Sequence, residues 1–196
     1  MNFINRTINW VAGYYNQPTY RAIINVFLFA IITALFHYIW WGGLVQLLAN
    51  YSWFEGFRAF MVQAVFTQSV WINEHIFGLK MIKQGVTMIF PNVGYITIEE
   101  ACSGTKQFYQ ILVLFILFPG PWRHKLWYIP SAMLVMHMVN VARILILSLV
   151  LFVWPEQWDF IHLWILRPGY YVVIFLMWVL WIELFPVRFG AKTVTK

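Results

Sequence analysis

Long apolar runs separated by short polar stretches set the pattern of this chain. The run over residues 22–41 contains no Asp, Glu, Lys or Arg, and the runs over 128–153 and 168–184 contain one such residue each. A helix needs about 20 apolar residues to cross the roughly 30 Å of hydrocarbon in a bilayer. We therefore predict transmembrane helices over these runs and over 98–118. The pattern indicates an all-α membrane protein, a bundle of about four to five transmembrane helices.

The segment between the first two predicted spans, residues 42–97, follows a different pattern. Over residues 57–71 the apolar side chains recur near the helical spacing, while Gln63, Thr67 and Gln68 are polar. This spacing favours an amphipathic helix that packs on the bundle or lies at the membrane interface. A short transmembrane span is the alternative, and it would place the N-terminus outside.

Residues 78–98 have the composition of a small β-hairpin. Gly85 and the stretch Pro91-Asn92-Val93-Gly94 are turn signals, and β-branched and aromatic residues lie around them. We expect this hairpin and the amphipathic helix to form an extracytoplasmic cap. The whole chain, residues 1–196, is then a single integral membrane domain.

The second predicted span begins with a recognisable helix start. Thr97 as N-cap and Glu100 three residues later have the spacing of a capping box. Glu99 and Glu100 in the first turn suit the positive end of the helix dipole. We therefore expect a helix from residue 98 to Phe118, with Cys102 about one turn below the outer membrane surface.

Composition agrees with an integral membrane protein and excludes several other classes. Of the 196 residues, 62% are hydrophobic and 10% charged, and the first apolar run is too long and begins too late for a cleaved signal peptide. The net charge is +6, but the basic residues are scattered, so nucleic acid is not an expected partner. A single cysteine excludes an intrachain disulfide, and no metal-binding spacing is present, so we expect no metal or other cofactor.

Basic residues predict the orientation in the membrane. Arg6 and Arg21 precede the first span, and the loop at residues 122–125 is basic. Because positive charge accumulates on cytoplasmic loops, both features are expected inside. The same rule places the tail inside, with Arg188, Lys192 and Lys196. The cap and the turn at 154–159 are then outside.

Arg143 is the most unusual residue in the apolar runs. An arginine at the centre of a membrane helix costs at least about 2.5–3.5 kcal/mol, and such charges commonly mark functional sites. It lies 10 residues before Val153, so about 15 Å below the outer end of its helix. Asn140 lies one turn earlier and can orient the guanidinium. The alternative is a purely structural arginine that holds helices together.

Cys102 is a candidate nucleophile in a mixed environment. The start of a helix and Lys106, four residues later, favour the thiolate. Glu99, three residues earlier, opposes the thiolate or pairs with Lys106. A lone cysteine in a membrane helix is most often inert, so Cys102 depends on partners elsewhere in the chain.

His162 is the candidate base because it follows the outer turn, on the side where Cys102 is expected to emerge. Asp159 lies three residues before it and can hold the imidazole ring if this turn is helical. His137 is the rival base, but it lies about 24 Å below the outer end of its helix, too deep to meet Cys102 easily.

Three of these segments resemble the exosortase/archaeosortase family. The resemblance lies in Glu100-Ala101-Cys102-Ser103-Gly104, in Asn140-Val141-Ala142-Arg143 and in His162, and Lys106 matches a basic position that often follows the cysteine motif. It covers residues 75–185. Members are multi-pass proteins of prokaryotic cytoplasmic membranes, regarded as cysteine transpeptidases. They process proteins that carry a C-terminal sorting signal, which is a short motif, a transmembrane helix and a basic tail.

The resemblance implies a role for each candidate residue. Cys102 would attack a substrate carbonyl to form a thioester, and Arg143 would stabilise the oxyanion. His162 would protonate the leaving amine and then deprotonate the acceptor, which is water or a lipid or glycan. Glu100, Lys106, Asn140, Glu99 and Asp159 would support these three. The implied partners are membrane-anchored substrate proteins and the bilayer, with the active site on the extracytoplasmic side.

Two other classes compete with the enzyme. A non-enzymatic scaffold or assembly factor of an export or polysaccharide system would use Arg143 structurally and leave Cys102 inert. A small transporter would line a path with these polar residues, but the chain has no internal repeat and no paired broken helices. A metal-dependent hydrolase lacks ligands.

Overall fold

Residues 17–185 are described by a computed structural model. This part of the chain is largely helical and contains one small sheet, so the predicted class, an all-α membrane protein with a small β element, is confirmed. Arg6 and the tail cations Arg188, Lys192 and Lys196 lie outside the described residues.

The first apolar run forms a long, kinked helical segment. Helix α1, Pro18–Ile39, begins with a proline, which needs no backbone N–H partner at this position. It passes through a π-helical turn, Trp40–Leu44, into the short helix α2, Val45–Ala49. The kink lies at Gly43, whose φ of 139° is easily reached only by glycine.

Helix α3, Ser52–His75, has a one-sided burial pattern, as an amphipathic helix requires. It packs against the fifth helix of the chain. Three helical runs of the described part are long and apolar enough to cross a membrane, and α3 is not among them. The buried side chains of α3 are Phe54, Met61, Val62, Val65, Phe66, Ser69, Val70 and Asn73.

The predicted hairpin is part of a three-stranded antiparallel sheet. The strands β1, Ile82–Gln84, β2, Thr87–Phe90, and β3, Gly94–Thr97, lie in the order β1-β2-β3. Asn73 of α3 fastens the sheet to the helices, since its amide donates to Ser148 Oγ at 3.1 Å and contacts the Met88 sulfur at 3.7 Å.

The prediction that a helix begins at residue 98 is wrong. Thr97 ends β3, and its hydroxyl lies 2.9 Å from that of Thr87, so it does not cap a helix. A 3-10 turn, Glu100–Cys102, follows, and helix α4 comprises only Thr105–Leu117. Thirteen residues extend about 20 Å, less than the hydrocarbon thickness of a bilayer.

Helix α5, Trp122–Val153, begins earlier than predicted because the basic stretch at 122–125 is its first turn. Lys125 is buried there, and its ammonium donates to the carbonyl oxygens of Ile116 at 2.9 Å and Phe118 at 2.7 Å. It therefore caps the carbonyl end of α4.

A continuous helical run completes the described chain. It comprises a 3-10 turn Pro155–Gln157, helix α6, Trp158–Phe160, a π-helical turn Ile161–Leu166, and helix α7, Arg167–Leu184. Helix α7 agrees with the last predicted span. Within residues 17–185, the runs Tyr20–Ala49, Trp122–Val153 and Pro155–Leu184 are the three with the length and apolarity of membrane spans.

Helices α1, α4, α5 and α7 form a bundle with one large core. At one end, Trp181 of α7 donates to the carbonyl oxygen of Pro119 at 3.1 Å, beside the first turns of α5. At the other end, the last turns of α1 meet the first turns of α4 and α7 through Lys106, His37 and Tyr171. Cys102 lies at this second end.

Candidate active site

Cys102 lies in a tight connection between the sheet and α4. Its backbone N–H donates to the carbonyl oxygen of Glu99 at 2.8 Å. The Ser103 hydroxyl donates to the carbonyl oxygen of Glu100 at 2.7 Å and accepts from the Thr105 N–H at 3.3 Å. Cys102 therefore precedes α4. The prediction that it lies inside this helix is wrong. Its half-buried side chain packs against the core beneath the sheet.

Two polar side chains of α5 hold the main chain at Cys102. Asn140 Nδ2 donates to the Cys102 carbonyl oxygen at 3.0 Å, and Arg143 Nη2 donates to the same oxygen at 3.3 Å. Both bonds end on the carbonyl oxygen rather than on the sulfur. Because Asn140 and Arg143 are nearly one turn apart, one face of α5 presents both to the cysteine loop.

Tyr170, which the sequence reasoning missed, supports both α5 residues. Its hydroxyl donates to Asn140 Oδ1, so the amide of Asn140 is oriented with its nitrogen toward Cys102. Its ring lies 5.2 Å from the Arg143 guanidinium carbon, within the range of a cation–π contact. Its only signal in the sequence was its place directly after Pro168-Gly169.

Arg143 is buried, with 4% of its surface exposed, and its Nε has no hydrogen-bond partner. The ion pairs of residues 17–185 involve Arg58 and Lys83, so no carboxylate in this part of the chain balances its charge. Burying a cation without a compensating anion destabilises the fold, so stability alone does not explain this arginine. This environment is typical of a residue kept for function.

His162 is electrostatically coupled to the same arginine. It lies in the π-helical turn, and its imidazole interacts electrostatically with Arg143, Arg167 and Asp159. Its Nε2 is buried without a hydrogen-bond partner, and its ring lies 4.9 Å from that of Trp158. Arg143 thus donates to the Cys102 carbonyl oxygen and interacts electrostatically with His162. That these three residues act together stays a prediction.

A known protein family matches most of this chain. The sequence profile described as transmembrane exosortase matches residues 10–182. The chain belongs to the transmembrane exosortase family. The chain has no significant match among curated proteins or among solved structures. The predicted resemblance to the exosortase family is therefore confirmed, and the protein is a multi-pass membrane protein of the exosortase type.

Glu100 of this exosortase has a different partner from the one expected. Its carboxylate forms an ion pair with Arg58 of α3, which also contacts Glu55 at 2.6 Å. The Arg58 side chain is only 15% exposed and lies over the Phe54 ring. Arg58 therefore ties the cysteine motif to α3. Its signal in the sequence was a single arginine near the start of the amphipathic segment.

The remaining predicted site residues have different partners in the structure. Asp159 interacts electrostatically with His162, but Lys106 donates to His37 Nδ1 at 2.9 Å. Glu99 is exposed and contributes its backbone carbonyl to the turn. The rival base, His137, is bonded to Gln68 of α3 at 3.0 Å through its Nε2.

Gly104 controls how closely the cysteine loop approaches α5. Its φ is +83°, and a Cβ at this position would lie 3.1 Å from Asn140 Nδ2. We expect Gly104→Ala to lower the Tm by roughly 2–8 °C, because a left-handed conformation is unfavourable for alanine and Asn140 must move. Thermal unfolding in detergent measures the effect.

The matched control for this substitution is Gly56→Ala. Gly56 is exposed in the interior of α3, and a Cβ there meets nothing within 4 Å. Alanine is the better helix former, so the control should leave the Tm unchanged or raise it slightly. Equal Tm values for the two variants would contradict the close approach of Gly104 and Asn140.

Proposed function

We propose that this exosortase is a cysteine transpeptidase or peptidase that cleaves C-terminal sorting signals of exported proteins. The observation that carries the proposal is that Arg143 interacts with both Cys102 and His162. The Cys102 carbonyl oxygen accepts from Arg143 and Asn140, and His162 interacts electrostatically with the same arginine. Family membership supports the same conclusion.

In the proposed reaction, Cys102 forms the acyl-enzyme. The thiolate sulfur attacks the carbonyl carbon of the scissile peptide bond, and the carbonyl oxygen takes the negative charge. When the tetrahedral intermediate collapses, the carbon–nitrogen bond breaks and the amine leaves with a proton from His162. Water, or an acceptor carried by a lipid or glycan, then gives a proton to His162 and attacks the thioester carbon. The carbon–sulfur bond breaks, and the Cys102 thiolate and the protonated His162 are restored.

Arg143 has the properties that the oxyanion requires. Its guanidinium is buried and has no acidic partner in the described part of the chain, and its Nε is free to donate. Donors that are held in place before the charge develops stabilise a transition state without having to reorganise. The Tyr170 ring and the Cys102 carbonyl hold the guanidinium plane in position.

The proposed location is the extracytoplasmic face of the prokaryotic cytoplasmic membrane. Cys102 lies at the end of the bundle opposite the Pro119 carbonyl and the basic first turn of α5. Because positive charge favours the cytoplasmic side, that basic turn is expected inside and Cys102 outside. A peptide next to the membrane anchor of a substrate would then be presented at the level of Cys102.

Trapping the acyl-enzyme tests this function directly. A substrate bearing a C-terminal sorting signal is expressed together with the exosortase, and the Cys102 peptide is examined by mass spectrometry. We expect an acyl adduct that neutral hydroxylamine releases, since hydroxylamine cleaves thioesters. Cys102→Ala should give no adduct and no processing while it still inserts in the membrane.

The conservative control is Cys102→Ser, which keeps the size of the side chain but is a much weaker nucleophile at neutral pH. It should reach the membrane in the same amount and process substrate far more slowly. Processing by Cys102→Ala at the normal rate would exclude the enzyme and favour the scaffold, in which Cys102 is inert.

A further inference from the structure

A cluster of four side chains lies on the surface of the bundle and takes no part in the proposed reaction. Lys106 Nζ donates to His37 Nδ1 at 2.9 Å and to the Tyr171 hydroxyl at 3.4 Å. The Tyr171 hydroxyl lies 3.1 Å from His37 Nδ1, and the ammonium lies 5.4 Å from the centre of the Trp41 ring. Three different helical segments therefore meet at one lysine.

The charge of this cluster is not balanced within the described residues. The ion pairs of residues 17–185 involve Arg58 and Lys83, and none includes Lys106. An ammonium has three N–H donors, and only two are directed to His37 and Tyr171. Lys106 is also the second residue of α4, where unpaired backbone N–H groups add positive potential. The cluster therefore attracts an anion.

The position of the cluster identifies the kind of anion. His37, Trp41 and Tyr171 are exposed, and they belong to the helical runs that have the properties of membrane spans. Apolar side chains around them are also exposed: Leu35 by 55%, Tyr38 by 78% and Val172 by 56%. In a membrane such surfaces contact acyl chains, and tryptophan and tyrosine prefer the level of the headgroups. The anion that lies beside acyl chains at this level is the phosphate of a phospholipid.

We propose that Lys106, Tyr171, His37 and Trp41 form a binding site for the phosphate of an anionic phospholipid at the edge of the bundle. Lys106 supplies the charge, and the Tyr171 hydroxyl supplies a second donor once it rotates away from His37. The Trp41 ring packs against the glycerol region. The acyl chains lie along the exposed faces of α1 and α7.

Native mass spectrometry of the full chain in detergent tests this site. Dioleoylphosphatidylglycerol is titrated, with dioleoylphosphatidylcholine as the zwitterionic comparison. The wild-type protein should bind the anionic lipid with the lower Kd. Lys106→Gln should raise that Kd about tenfold, as expected for the loss of one charge-assisted hydrogen bond. Tyr171→Phe, which keeps the ring, should raise it about threefold.

The charge-matched control is Lys80→Gln, because Lys80 is exposed just before the sheet and far along the chain from the cluster. It should leave the Kd unchanged, and Lys106→Arg should stay within about threefold of wild type. Tm values measured without added lipid show that each variant is folded. If Lys106→Gln does not fold, Lys106→Arg and Tyr171→Phe still decide between the outcomes.

Three results would overturn the proposal. The first is an unchanged Kd in folded Lys106→Gln or Tyr171→Phe. The second is an equal loss in Lys80→Gln, which would indicate general attraction to a cationic protein rather than a site. The third is displacement of the lipid by millimolar inorganic phosphate or by a soluble acidic peptide, which would assign the cluster to a soluble anion.

Discussion

Replacing Arg143 by lysine should reduce the rate of substrate processing by a factor of about 100 to 1,000, the usual effect of losing one oxyanion donor. Lysine keeps the charge but not the planar fork that stacks on Tyr170 and donates to the Cys102 carbonyl. The measurement is the conversion of a sorting-signal substrate by the membrane-inserted variant. Arg123→Lys, a change at an exposed arginine in the first turn of α5, should process at the wild-type rate.

A second variant separates function from structure at the same position. Arg143→Met replaces a buried cation without an acidic partner by an apolar side chain of similar length. Such exchanges are often neutral or stabilising, so the Tm should stay the same or rise while processing is lost. A large fall in the Tm of Arg143→Met would show that the arginine is mainly structural. Processing near the wild-type rate in Arg143→Lys would contradict the requirement for the planar fork.

Replacing His162 by glutamine should reduce processing by a factor of about 100 to 10,000, the range attributed to general acid–base catalysis. Glutamine keeps the polarity and approximate size of the side chain but cannot shuttle a proton at neutral pH. His162 lies in a π-helical turn, a distortion that is common at functional sites, and its Nε2 has no hydrogen-bond partner. The readout is the single-turnover rate of substrate cleavage.

The control for His162 is His137 of α5, the rival base. Its Nε2 is already engaged with Gln68 Oε1, so His137→Gln should change the processing rate by less than about threefold. The reverse outcome, with His137→Gln inactive and His162→Gln active, would transfer the role of base to His137.

The start of α4 shows why local rules were insufficient near the cysteine. Thr97 and Glu100 have the spacing of a capping box. In an isolated peptide no distant residue would compete for the hydrogen bonds of these two side chains. In the folded chain Thr97 completes a strand, and Glu100 reaches Arg58, which lies 42 positions earlier. A partner that distant cannot be recognised from spacing. The helix therefore begins at Thr105, after the left-handed Gly104.

The cap shows the opposite case, in which local signals were almost sufficient. The turn signals near Gly85 and at Pro91–Gly94 predicted a hairpin, and the structure has two successive turns joining three strands. Turn residues act over a few positions, so the sequence contains most of the information about them. The sequence did not indicate the third strand, β1, because this strand is short and its side chains are exposed.

The sequence by itself determined the class of the protein, the approximate positions of its apolar helices and the three residues that resemble an exosortase site. Apolar periodicity and the cost of an intramembrane charge are properties that each segment carries alone. Only the tertiary structure decided that Tyr170 and Asn140 orient the cysteine loop, that Arg58 holds Glu100, and that Lys106 faces His37. These contacts join residues from different helices, and their geometry arises only when the helices pack.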